Sequence, residues 1–213
     1  MTAVHPRARV LVTGPRDLIT TSVAPALRTH GFAAAAHVAT KPLPPVPDGG
    51  GVMVVNLDLP DGPGLVAAAA GSGWRTIAVF PPSEPSHAAA AVAAGARAVV
   101  PRTASFRDLL EVLAAVAAGR YTMPADERAA WLNIHRTTVL EADTRRRRLD
   151  RLTERELDVL QRLACGQKAA EIAVDAVVAL STVRTHIRSI LVKLGVNSQQ
   201  QAVDFYRGTL RRA

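Results

Sequence analysis

The sequence has little cysteine and few aromatic residues. Cys165 is its single cysteine, so the 213 residues can form no internal disulfide, and we expect a reducing, cytoplasmic location. Aromatic residues make up 4% of the chain while alanine is abundant, which predicts a core of small aliphatic side chains. Cys165 stands at the apolar end of a predicted helix, and we expect it to be a small core residue.

Long hydrophobic runs are also missing. No apolar run reaches the roughly 20 residues that a membrane-spanning helix needs, and the first residues, MTAVHPRARVLVTG, lack the apolar region of a signal peptide. We therefore expect no membrane partner.

Motifs of catalysis and cofactor binding are absent as well. The sequence shows no nucleophile paired with a base, no paired catalytic carboxylates and no His/Cys set at metal-ligand spacing. The glycines at 49–51 precede a predicted strand rather than a helix, so they do not form a phosphate-binding loop. These absences predict a protein that is not an enzyme and that carries no cofactor.

Positive charge is concentrated in the last third of the chain. The overall net charge is +8, and residues 145–213 hold 14 Lys/Arg against 7 Asp/Glu, a net of +7. The remaining net of +1 comes from residues 1–144, with 12 Lys/Arg against 11 Asp/Glu. This asymmetry indicates a polyanion partner such as nucleic acid, or else a solvated face with a basic linker.

The first 120 residues alternate strand and helix patterns. The predicted strands are Val10–Val12, Phe32–Val38, Val52–Val55, Thr76–Phe80 and 97–100, and the predicted helices are 17–29, one beginning at Leu65, 86–94 and 106–118. The Pro/Gly-rich stretch 41–50 is predicted to be a loop. Five strand–helix repeats predict an α/β doubly wound, five-stranded parallel sheet.

A second, all-α domain is expected after a linker. Residues 121–148 contain helix-tolerant residues and end in the basic run RRRR, which predicts a partly helical linker. The predicted domains are therefore 1–120 and 149–213. In the second domain, Thr153 and Glu156 predict a capping box, and Ser198 and Gln201 predict another.

The third helix of this domain is predicted over 180–194, with a buried apolar stripe and an exposed face. The stripe consists of Val183, Ile187, Ile190, Leu191 and Leu194. Arg184, Thr185 and Arg188 fall on the other side of the helix, three and four residues apart.

Three segments, LTERELDVL, EIA and TVRTHIRSILVKLGV, resemble the helix-turn-helix domain of LuxR/NarL-type bacterial transcription regulators. The resemblance covers about 60 residues and implies sequence-specific binding to double-stranded DNA. It places Arg184, Thr185 and Arg188 on base edges in the major groove, and Thr182, His186 and Lys193 on phosphates. His186 is alternatively a surface or packing residue, and Lys193 a solvated charge.

The same resemblance implies a homodimer. The last helix of this family often forms the dimer contact, which makes Ala202, Val203 and Tyr206 candidates. One residue departs from the family pattern, because Ala179 stands where relatives commonly have a Ser or Thr that caps the recognition helix.

The N-terminal architecture resembles the receiver domain that often precedes such helix-turn-helix domains, without its phosphotransfer residues. The receiver pattern places Asn56 at the phosphoacceptor, Thr13 and Gly14 at the acidic pair that holds Mg²⁺, Phe80 or Pro81 at the hydroxyl position and Arg102 at the lysine. Without these carboxylates the site has neither a nucleophile nor an oxygen cage for Mg²⁺.

We therefore interpret residues 1–120 as a degenerate receiver, with Asp58 as the remaining candidate phosphoacceptor. Asn56, Asp61 and Gly62 are alternatively plain turn residues. A further hypothesis is that the emptied crevice, made apolar by Phe80 and the prolines at 81 and 82, holds a small-molecule effector.

Two functions are consistent with these features. The first is a DNA-binding transcription regulator controlled without phosphorylation. The alternative is an interaction protein that pairs with another regulator and itself binds DNA weakly.

Overall fold

The computed structural model describes residues 8–15, 18–39, 42–48, 50–59 and 61–210. The chain divides into two compact units, Met1–Arg136 and Thr137–Ala213. Some residues used in the sequence predictions lie outside the described residues: 1–7 of the N-terminal stretch, Asp17 of the first predicted helix, and Lys41 and Gly49 of the predicted loop.

The first unit contains a five-stranded parallel sheet with a helix after most strands. Its elements are β1 (Arg9–Thr13), α1 (Leu18–Thr29), β2 (Ala33–His37), β3 (Gly51–Asn56), α2 (Gly62–Gly71), β4 (Arg75–Phe80), α3 (Pro85–Ala93), β5 (Ala98–Pro101) and α4 (Phe106–Ala117). The strand order is β2-β1-β3-β4-β5, and each neighbouring pair is parallel. The predicted doubly wound sheet is confirmed, and its order is that of flavodoxin-like folds.

Side chains on the two faces of this sheet belong to two separate cores. Alternation along β3 places Val52 and Val54 on the face covered by α1 and α4, and Met53 and Val55 on the face covered by α2 and α3. All six residues of β3 are buried, which explains why its sequence is a continuous apolar run.

Helix α2 begins earlier than the sequence indicates. We predicted its start at Leu65, but it begins at Gly62. The Asp61 side chain accepts a hydrogen bond from the Gly64 amide at 3.2 Å, and a proline occupies the first turn, where its missing N–H costs nothing. These capping features outweigh the low helix propensity of the two glycines.

Helix α5 (Ala125–Leu149) is a continuous helix of 25 residues where we predicted a partly helical linker. The boundary between the two units falls within it. Acidic residues stand in its first turn and arginines in its last, an arrangement that favours the helix dipole. Among the residues that the structure describes, no helix is both long enough and apolar enough to cross a membrane.

The second unit packs four shorter helices around one core. They are α6 (Glu154–Ala164), α7 (Ala169–Asp175), α8 (Leu180–Leu194) and α9 (Gln199–Leu210). The predicted stripe of α8 is confirmed: Val183, Ile190 and Leu194 are buried, and Ile187 and Leu191 are partly buried against them.

The predicted capping box of α6 is present, with Thr153 and Glu156 bonding each other's backbone amides. At α9, the Ser198 hydroxyl accepts from the Gln201 amide at 3.2 Å, but the Gln201 side chain accepts from the Asn197 amide rather than from that of Ser198. The prediction for Cys165 is wrong. This residue is exposed, because α6 ends at Ala164 and Cys165 forms its C-cap.

Candidate nucleic-acid interface

Helices α7 and α8 are joined by the four residues 176–179. Helix α8 begins after Ala179, which has extended backbone angles. Ala179 makes no side-chain cap, as the sequence indicated. Val177 has a φ of 53° and is 90% exposed. A branched side chain is strained in this left-handed region.

The exposed side of α8 carries the residues predicted to reach base edges. Arg184, Thr185 and Arg188 are all exposed, and so is Thr182. In the part of the chain that the structure describes, neither arginine lies within ion-pair distance of a carboxylate. The Thr185 hydroxyl donates to the Ser181 carbonyl at 2.9 Å, which fixes its orientation and leaves its oxygen as an acceptor.

His186 lies off this face. It is partly buried and lines a groove of about 230 Å³ between α6, α7 and α8, together with Arg155 and Asp158. This position gives the imidazole access to both the groove and solvent. Its phosphate contact stays a prediction.

A buried carboxylate connects α8 to α6. Glu156 is 4% exposed, and its oxygens accept from Lys193 Nζ at 2.6 Å, from Ser189 Oγ at 2.6 Å and from the Thr153 amide at 2.7 Å. Burial of the carboxyl raises its pKa, but the hydrogen bonds from Lys193, Ser189 and Thr153 together outweigh burial and lower the pKa to about 2. The carboxylate is therefore ionised at neutral pH and holds α8 against α6.

The same network engages Lys193, for which a phosphate contact was predicted. Its Nζ is directed into the domain toward Glu156, and its side chain is 31% exposed. A phosphate would have to compete with this ion pair for Lys193, and the phosphate contact stays a prediction.

Part of the basic run at 145–148 is also engaged within the second unit. Arg148 donates from Nη1 to the Leu194 carbonyl at 3.0 Å, and so satisfies a carbonyl at the C-terminus of α8. Arg147 pairs with Asp143 at 2.8 Å on the exposed surface of α5. Two arginines of the run therefore support local structure.

The predicted dimer residues on α9 are mostly internal. Ala202 is 1% exposed and Val203 is 5% exposed, because α9 turns this side toward α6 and α8. Both side chains lie inside the domain core, and a dimer contact through them stays a prediction. Tyr206 is partly buried against the same core.

The residues at the predicted receiver positions lie at the carboxyl edge of the sheet. Asn56 is 4% exposed and Thr13 is fully buried. A Cβ on Gly14 would lie 2.8 Å from Asn56 Cβ and 2.5 Å from Thr20 Oγ1, so this backbone packs directly on Asn56. Strand alternation puts Thr13 on the face of Leu11, whereas Asn56 shares the face of Val54, and the two side chains therefore do not converge.

The remaining receiver positions lie on different sides of the sheet. Arg102 forms an ion pair with Asp58, whose backbone amide in turn donates to Asn56 Oδ1 at 3.3 Å. Phe80 is buried on the α2/α3 face and makes an edge-on ring contact with Trp131, with centroids 5.6 Å apart. Pro81 is buried next to Phe80.

Sequence reasoning missed three features of this region. The sequence indicated only a helix-capping role for Glu156. In the structure its carboxylate also binds Ser189 and Lys193 of α8. The strain at Val177 could have been predicted, because two valines occupy a tight turn where a glycine or asparagine is expected. The contact of Arg148 with α8 had no signal beyond its charge.

Comparison with known proteins agrees with the helix-turn-helix geometry. Residues 150–206 match the family model described as bacterial regulatory proteins, luxR family. The probable transcriptional regulatory protein NarL of Mycobacterium tuberculosis (strain CDC 1551 / Oshkosh) is 48% identical over 52 residues, which is 24% of this chain and 24% of that protein. The chain thus spans about a quarter of the length of NarL.

One relative extends over both units. The probable transcriptional regulatory protein SgaR of Hyphomicrobium methylovorum is 29% identical over 159 residues, covering 73% of this chain and 69% of that protein. The crystal structure of the response regulator ChrA aligns over 97% of this chain and 100% of that one, at 22% identity with a TM-score of 0.47.

The family and the two relatives named above are described as regulatory proteins. Residues 150–206 carry the sequence pattern of the luxR family of bacterial regulatory proteins.

Proposed function

We propose that this chain is a sequence-specific DNA-binding transcription regulator. The observation that carries the proposal is the exposed face of α8, where Arg184, Thr185 and Arg188 stand opposite the buried stripe. The luxR-family match over residues 150–206 and the names of the relatives NarL and SgaR support it.

The spacing of the two arginines suits base pairs that lie two steps apart. Four residues of an α-helix span about 6 Å, which is close to two base-pair steps of B-DNA. Each guanidinium can donate two hydrogen bonds to the edge of a guanine, and Thr185 can accept from or contact a neighbouring base. Base readout is therefore assigned to Arg184, Thr185 and Arg188.

Backbone contacts are assigned to residues around this face. Thr182 is exposed in the first turn of α8, whose uncapped N–H groups also favour a phosphate. His186 is a second candidate, and Arg146 of the basic run is exposed on α5. These contacts set register on the duplex and contribute the salt-dependent part of the affinity.

Control of this regulator does not use aspartyl phosphorylation in our proposal. The residues at the sheet edge do not fit Mg²⁺, because Gly14 has no side chain and no space for one, and Thr13 and Asn56 occupy different faces. Among the described residues, no cluster of three or more His, Cys, Asp or Glu could hold a metal ion. Asp58, the remaining candidate acceptor, is paired with Arg102.

We further propose that the chain acts as a homodimer, that it is cytoplasmic and that a small molecule controls it. A two-fold DNA site requires two copies of the chain, and Ala202 and Val203 are buried in the single chain. The domain boundaries 1–120 and 149–213, with the linker between them, remain our proposal.

The second candidate function is an interaction protein that modulates another regulator. The observation in its favour is the exposed apolar pair Val139 and Leu140 on α5, which are 51% and 61% exposed. Exposed aliphatic pairs on a helix fit a protein partner. Weak, sequence-independent DNA binding distinguishes this function from the first.

A mobility-shift titration across salt concentrations tests the first function. A regulator should select one sequence from a random duplex pool, and its affinity should fall steeply as salt rises. Equal affinity for the selected and scrambled duplexes at every salt concentration would support the interaction protein instead.

Incubation with acetyl phosphate and Mg²⁺ followed by intact mass tests the mode of control. We expect no added phosphoryl mass. A stoichiometric gain that disappears in the Asp58→Asn variant would show that this chain is phosphorylated after all.

A further inference from the structure

A cavity of about 150 Å³ lies beneath the carboxyl edge of the sheet, between the sheet and helices α1 and α4. Most of its wall is aliphatic or aromatic carbon. The apolar lining residues that matter here are Val12, Val23, Val54, Val79, Val100 and Leu109.

This cavity is on the opposite side of the sheet from the crevice that the sequence suggested. Phe80 is buried on the α2/α3 face, Pro81 is buried next to it, and Pro82 is exposed. Asn56 shares the face of Val54, and its primary amide contributes to the wall of the cavity. The degenerate receiver position therefore opens onto the α1/α4 side.

The polar groups at the wall carry no net charge toward the cavity. The guanidinium of Arg102 is neutralised by its ion pair with Asp58. The Ser105 hydroxyl accepts from the Asp108 amide at 3.2 Å as the N-cap of α4. An anionic ligand would lose its hydration without gaining an unpaired cation, which disfavours phosphate and carboxylate compounds.

We propose that this cavity is a binding site for a compact, neutral, mostly apolar molecule with a single hydrogen-bonding group that meets the amide of Asn56. An apolar cavity of about this size in another protein stays dry and binds benzene, so one aromatic ring or a branched chain of similar volume fits. This site deepens the effector part of the proposed function, and its existence rests on the cavity rather than on DNA binding.

Indole is a suitable probe, because it has one ring system and one N–H donor. Titration of the full chain should shift the methyl NMR signals of Val54 and Val79 and give nuclear Overhauser contacts from indole to them. Calorimetry should give a saturable affinity, and phenyl phosphate and inorganic phosphate should leave these methyl signals unchanged.

Two alanines provide a matched pair of variants. Ala104 is partly buried and lines the cavity, so Ala104→Leu should fill it and weaken indole binding at least tenfold. Ala94 is partly buried against the other core, so Ala94→Leu should leave the affinity within about twofold of the parent. If Ala104→Leu does not fold, Val100→Ala enlarges the cavity and should shift the preference from indole toward the larger 1-naphthol.

The proposal is overturned if indole gives no methyl shifts up to its solubility limit, if its contacts map elsewhere, or if neither a folded Ala104→Leu nor Val100→Ala changes binding. Tighter binding of phenyl phosphate than of indole also overturns it. DNA binding is measured separately, by mobility shift without indole. Absence of DNA binding together with intact indole binding refutes only the proposed function. Intact DNA binding without indole binding refutes only this site.

Discussion

Lys193 Nζ lies 2.6 Å from Oε2 of Glu156, and this pair joins the C-terminal half of α8 to the first turn of α6. Ser189, one turn earlier on α8, donates to the other oxygen of the same carboxylate. A single buried acid therefore receives two side-chain hydrogen bonds from the helix that carries the proposed base contacts. The orientation of α8 depends on this acid as well as on apolar packing.

Lys193→Met should destabilise the second unit by about 1.5–3 kcal/mol, because it leaves a buried carboxylate without its cation. Chemical denaturation followed through the methyl NMR signals of Ile172 and Ile190, both in the second core, measures this free energy. Lys168→Met is the matched control, since Lys168 is exposed, and should change stability by less than about 0.5 kcal/mol. Equal effects of the two substitutions would contradict the assigned role of the pair.

The stability of the second unit should depend on pH through Glu156. Its pKa is lowered from 4.5 to about 2 in the folded state, so its contribution is complete above about pH 4.5 and is lost as pH falls toward 2. A shift of this size corresponds to about 3 kcal/mol. The unfolding free energy of the parent minus that of Glu156→Gln should therefore decrease between pH 5 and about pH 3, and a constant difference would argue against the low pKa.

Val177→Gly should stabilise the second unit by about 1 kcal/mol. Glycine adopts a φ of 53° without the steric cost that the branched side chain incurs, and this gain exceeds the entropy that glycine loses on folding. Val174→Gly is the matched control, because Val174 is also exposed but lies within α7, where glycine should destabilise by up to about 1 kcal/mol. The same denaturation experiment measures the free energy of unfolding of both variants, which should change in opposite directions. Destabilisation by both glycines would mean that Val177 is not strained.

Arg188→Ala should weaken binding to the selected duplex by about 1–3 kcal/mol and relax the preference at one base pair. Arg155→Ala is the control, since Arg155 belongs to α6 and lines the groove with His186, whereas Arg188 does not line this groove. Its effect should be small and equal for all duplexes. Unchanged selectivity of the Arg188 variant would remove this residue from the reading face.

Sequence patterns were sufficient for the five strands and for the faces of α8. The apolar run of β3 and the three- and four-residue spacing around Arg184 and Arg188 are local, and the structure shows a buried strand and an exposed helix face at these places. Periodicity says which side of a helix is apolar, but it does not say which neighbour covers that side. For this reason Ala202 and Val203 looked available for a partner although α6 and α8 cover them.

Local sequence patterns could not predict contacts between polar groups that are far apart in the sequence. Glu156 and Lys193 are 37 residues apart, and each has an ordinary local explanation, as a helix cap and as a surface charge. The cavity beside Asn56 was likewise misplaced, because the side on which a strand-end residue points depends on the register of the sheet.

The close packing of Gly14 on Asn56 bears on how this domain can change by mutation. Any side chain at position 14 would collide with Asn56 Cβ and Thr20, so no single substitution can place a carboxylate there without disturbing the sheet edge. Coordinated replacement of residues 14, 20 and 56 would be needed. The packing of this glycine therefore limits which sequences stepwise mutation can reach at the carboxyl edge.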